Sequence, residues 1–210
     1  MTKLLTVSIL FIILLMVSSS VMANPITMTL DSKGSITQGG FPIGPYTATV
    51  DGTPMSIVCI DYLHHQAVGQ TWTADVSGFG DLSNTRWGMA GLEGYQQCAW
   101  LYDQILLNNT SAGDIQFAIW NIFTPAAPDT TGSEYWLNLA RNQNLTGYDF
   151  QNFKILTPTD RSSAGAQEFI TRLTREANVP EPASLILLGT GLAGVASFMR
   201  KRKEQRKETE

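Results

Sequence analysis

The chain has 210 residues, 43% of them hydrophobic and only 15% charged, with 18 Gly, 9 Pro and 2 Cys. That length allows one domain with appendages, and the composition excludes wholesale disorder, collagen and a disulfide-dense mini-protein. Residues 24–182 carry 7 basic against 15 acidic side chains, so the body lacks the clustered basic face that nucleic-acid binding needs.

The first 23 residues hold Lys3, an apolar run over 4–17, and small residues up to Val21 and Ala23. A basic start, a short apolar core and small residues at −3 and −1 define a secretory signal peptide cut after Ala23. The exported body then spans 24–178. Alternating or apolar runs over 46–50 and 55–60 flank Asp51-Gly52, a strong hairpin signal, and 71–76 is another expected strand. Gly39-Gly40, Gly44-Pro45 and the stretch 78–80 mark turns.

The second half reads first as helical. Tyr95, Cys98, Ala99, Leu101, Tyr102, Ile105 and Leu106 follow helical spacing, ending at Asn108-Asn109. A second helix begins near Asp114 and stops before Pro125, and a third is expected over 134–144. Strands return at 153–156 and 169–173. The expected fold class is therefore α+β, an antiparallel sheet or sandwich with a helical insert, flanked by the signal peptide and a C-terminal transmembrane helix.

The tail 179–210 contains Pro180-Glu181-Pro182, an apolar span over 183–199 punctuated by Gly189, Gly191 and Gly194, and the basic run Arg200, Lys201, Arg202 and Lys203. The span is near the minimum for a tilted membrane helix, and the basic run acts as a stop-transfer signal on the cytoplasmic side. This arrangement resembles the PEP-CTERM sorting signal of Gram-negative bacteria. The resemblance implies recognition by an exosortase, a membrane-embedded processing enzyme that cuts near the Pro-Glu-Pro. The protein would be anchored in the inner membrane during sorting and then delivered to the cell surface or extracellular matrix.

The two cysteines, Cys59 and Cys98, sit in an exported chain, where a single disulfide is one reading and free thiols another. A third reading starts from Cys59 between Val58 and Ile60 on a strand, and Gln116 among Ile115, Phe117, Ala118, Ile119 and Trp120 on a helix. These segments resemble the thioester domains of bacterial surface adhesins. The resemblance implies that the Cys59 sulfur attacks the Gln116 side-chain amide to form an internal thioester, shielded from water by Trp120, Tyr62 and Phe117. Such a bond would trap an amine on a partner surface protein, and an extracellular polysaccharide is the other partner class expected. The alternative function is a non-catalytic structural matrix protein with a Cys59–Cys98 disulfide or free thiols.

Nucleophilic-elbow, phosphate-loop and dinucleotide signatures are absent, so neither an enzyme nor a cofactor is expected. His64-His65 accounts for both histidines and has no third ligand at metal spacing, so no metal is expected. The pair reads as solvated loop residues, or as a base near Cys59. Asp61 reads as a turn cap or as a modifier of the thiol environment.

Overall fold

A computed structural model describes residues 24–173. The signal-peptide cleavage at Ala23 and the whole sorting tail lie outside the described residues, including Pro180, Glu181, Pro182, the span 183–199 and Arg200 to Lys203. Among the described residues, no helix is long and apolar enough to cross a membrane.

The chain opens with β1 (Ile26–Ser32), in which buried Met28 and Leu30 alternate with the more exposed Thr27 and Thr29. A small hairpin follows, β2 (Ile36–Gln38) and β3 (Phe41–Ile43), reversing through Gly39 and Gly40 at φ 57° and 83°. Next come β4 (Tyr46–Val50) and β5 (Thr53–Cys59), joined by Asp51-Gly52 with φ 45° and 82°. Two successive positive φ values define a tight turn whose twist matches the flanking strands, which is what this dipeptide supplies. Then β6 (Thr71–Ser77) leads into three helices, α1 (Leu92–Leu107), α2 (Ala112–Phe123) and α3 (Thr131–Asn142). The chain returns to the sheet with β7 (Phe153–Pro158) and β8 (Phe169–Arg172).

The expected antiparallel sheet is present, and rather than forming a sandwich it closes into a barrel in the order β1-β4-β5-β8-β7-β6, antiparallel at every step. The difference comes from β1, which pairs on one side with β4 and on the other with β6 and so removes both sheet edges. The α+β character and the helical insert between β6 and β7 stand as expected.

Two of the helix ends have local causes. Thr130 caps α3 through a reciprocal box with Ser133, which starts that helix at Thr131 rather than at the expected residue 134. Pro125 lies just beyond the end of α2, where its missing N–H prevents continuation. The last three residues of β5 are all buried, so that end of the strand is covered on both faces, where α2 approaches.

Candidate functional site

Cys59 is the last residue of β5, fully buried and in register with Phe169 of β8. Its Sγ donates to the carbonyl oxygen of Asp61 at 3.1 Å, which fixes the direction of the thiol. Burial pushes the thiol up to about 12, because a thiolate there would lose its hydration. The Trp120 indole works against that shift, and among the described residues its buried N–H has no oxygen or nitrogen partner.

Gln116 lies on α2 and is also fully buried, although it is an amide in an otherwise apolar stretch. Its Nε2 donates to the backbone oxygen of Cys59 at 2.7 Å, and its Oε1 accepts from the N–H of Gly44 at 3.3 Å. The structure therefore brings together the two residues singled out for a thioester, one on a strand end and one on a helix. It adds a third contributor, the backbone just after β3, which sequence reasoning marked only as a turn. A Cβ on residue 44 would lie 3.0 Å from Gln116 Oε1, so glycine is what allows this close approach.

An aromatic cluster lies beside the pair, with the Trp120 indole next to the Cys59 thiol. The Phe41 ring lies 5.8 Å from Tyr62, 6.1 Å from Phe117 and 5.8 Å from Trp120, centroid to centroid. Tyr62 lies 5.4 Å from Trp120, and Phe117 stacks on Trp120 at 5.6 Å. Trp120, Tyr62 and Phe117 were the expected shield; Phe41, from the β2–β3 hairpin, was not foreseen. That hairpin is held against α2 by Gln38 Nε2 donating to Asp114 Oδ1 at 2.8 Å.

Beside the pair runs a buried polar network that the sequence did not reveal. Asp61 does cap its turn, its Oδ1 accepting from Leu63 N–H at 3.1 Å. Its Oδ2 also lies 2.7 Å from His64 Nδ1 and 2.8 Å from Arg86 Nε, the latter an ion pair. The Arg86 N–H donates to Glu168 Oε1 and its Nη2 to the Ala166 oxygen, at 2.9 and 2.6 Å. Glu168 further accepts from Tyr95 and Thr157 hydroxyls, and burial raises its carboxyl above the usual range. Gln167 Nε2 donates to the same Asp61 oxygen that receives the Cys59 thiol, at 3.2 Å. His65, in contrast, is exposed. The clue in the sequence was charge placed directly beside apolar residues, Arg86 before Trp87 and Glu168 before Phe169.

Cys98 lies on α1, fully buried. In the structure both cysteines are free thiols, so the Cys59–Cys98 pairing weighed above is not formed in it. Burial raises the Cys98 thiol well above its ordinary value, and the nearby Glu168 and Cys59 add to this. Among the described residues no group of three His, Cys, Asp or Glu side chains is disposed to hold a metal ion.

Residues 178–203 match the PEP-CTERM protein-sorting motif, a stretch that contains Pro180, Glu181 and Pro182 and the basic Arg200, Lys201, Arg202 and Lys203. The chain therefore carries a signal for export, for sorting at the membrane by an exosortase, and for a surface or extracellular destination. The match lies wholly within the tail, outside the described residues. No curated protein and no solved structure matches the chain.

Proposed function

We propose that the exported barrel is a covalent attachment module, in which Cys59 and Gln116 form an internal thioester that captures an amine at the cell surface or in the extracellular matrix. The observation that carries this reading is the Gln116 amide, wholly buried and hydrogen-bonded to the backbone of Cys59, beside a cluster of aromatic rings. A glutamine serving only the core would be an expensive choice there, since an amide in an apolar site must satisfy all its polar atoms.

The chemistry balances without any cofactor. Cys59 Sγ attacks Gln116 Cδ, the Sγ–Cδ bond forms, the Cδ–Nε2 bond breaks, and the thiol proton leaves with Nε2 as ammonia. Because the thiol titrates near 12, attack is coupled to that proton transfer rather than preceded by ionisation. In the capture step an amine nitrogen attacks Cδ, the Sγ–Cδ bond breaks, and the amine's proton returns to sulfur. The aromatic cluster keeps water from competing while the thioester waits. The amine would come from a surface protein or from an amine-bearing extracellular polysaccharide.

Methylamine is the test reagent. The wild-type protein should gain one covalent methylamide at Gln116 with release of the Cys59 thiol, and Cys59→Ala should gain none. Wild-type protein that never labels would leave a non-covalent structural matrix role as the better reading.

A further inference from the structure

We infer that the backbone N–H of Gly44 is the oxyanion donor for both the formation and the opening of the Cys59–Gln116 thioester, an inference that rests on the proposed thioester chemistry. When sulfur or an amine adds to Gln116 Cδ, the carbonyl π electrons move onto Oε1, which becomes a tetrahedral alkoxide. The N–H of Gly44 already points at Oε1, at 3.3 Å. That distance is long for a neutral amide hydrogen bond and shortens once the acceptor carries a full charge. An interaction that strengthens as charge develops is the kind that lowers a barrier.

The surrounding structure fixes the donor before any reaction. Gly44 directly follows β3, whose hairpin is anchored by the Gln38–Asp114 hydrogen bond and by the Tyr46 hydroxyl donating to the Pro42 oxygen at 2.8 Å. Phe41 of the same strand packs edge-on against Phe117 and Trp120 of α2. The amide is oriented as well: with Nε2 committed to the Cys59 oxygen, Oε1 is the atom left facing Gly44. Side-chain space at residue 44 is closed by Gln116 Oε1 at 3.0 Å and Val58 Cγ2 at 3.5 Å, so a glycine brings its N–H into contact where a larger residue would push the acceptor away.

The direct test replaces the Ile43–Gly44 amide by an ester, with glycolic acid in place of Gly44, which removes the N–H without adding volume. Intact mass followed over time reads ammonia loss after refolding and methylamine addition to the finished thioester. Both rates should fall about ten- to a hundred-fold, since a single oxyanion donor is typically worth up to a few hundred-fold. Gly44→Ala, which keeps the N–H but drives Oε1 from it, should slow both steps as well, with thermal unfolding confirming that it folds. Wild-type rates in the ester protein would overturn the role of Gly44 and leave the thioester intact. Wild-type protein that never loses ammonia would overturn both.

Discussion

Gln116→Glu, made in a Cys59→Ala background where no thioester can form, isolates the hydrogen-bond geometry around this side chain. The substitution keeps the volume but turns the group facing the Cys59 oxygen from a donor into an acceptor. The site is fully buried, and neither of its hydrogen-bond partners, the Cys59 oxygen and the Gly44 N–H, carries a charge. The introduced carboxyl therefore takes up a proton on folding, which also lets it donate to the Cys59 oxygen. Holding a carboxyl with an unfolded pKa near 4.3 protonated at pH 7 costs about 4 kcal/mol at roughly 1.4 kcal/mol per pH unit. For a domain of this size that is a fall in Tm of about 8–16 °C. Because the folded pKa is raised, the loss disappears as pH falls to about 4.3, below which both states bind the proton. Urea unfolding of the two variants at pH 7 and at acid pH measures the difference, with other titrations cancelling. A loss under about 1 kcal/mol at pH 7, or an equal loss at both pH values, would refute the buried, uncharged setting assigned to Gln116.

Arg86→Met should destabilise the domain by about 3–5 kcal/mol, because it removes the guanidinium paired with Asp61 and bonded to the Ala166 oxygen, while the backbone N–H to Glu168 stays; adding Asp61→Asn should recover part of that in urea unfolding. Phe41→Ala should cost about 1–2 kcal/mol for a half-buried ring, and should shorten the thioester's lifetime in water as followed by thiol release. In a Gln116→Ala variant the Cys59 thiol should resist iodoacetamide at pH 8 and become reactive only as pH approaches about 12. The same raised pKa has a stability consequence with a defined sign. The contribution of the neutral thiol is complete below the unfolded pKa of about 8.5 and is lost as pH climbs from there toward the folded value.

The sequence made some of this fold legible because the signals were local. Asp51-Gly52 announced its hairpin, alternation marked β4, and Pro125 marked the end of α2. The closure of the barrel was not legible, although Ile26, Met28 and Leu30 alternate with threonines as a strand should. What closes it is the register of β1 against β6, more than 40 residues away, and no local pattern specifies such a pairing. The β2–β3 hairpin escaped for a different reason: its strands are three residues each, one contains Pro42, and its value lies in contacts to α2.

The same division holds at the site. Cys59 and Gln116 stood out because each breaks an apolar run with a reactive or amide group, and both proved buried and in contact. Gly44 looked like punctuation, since a glycine that serves a neighbour's oxygen is indistinguishable in sequence from one that serves a turn. Arg86 lies 25 positions from Asp61, and only folding makes that pairing visible.

One covalent bond defines the proposed module, and the intact mass of the exported protein, with its two ends established by sequencing, reads that bond directly. A Cys59–Gln116 thioester predicts the sequence mass less one ammonia, restored to methylamide mass on treatment with methylamine. The full sequence mass, as for two free thiols, or a loss of two hydrogens, as for a Cys59–Cys98 disulfide, would contradict it.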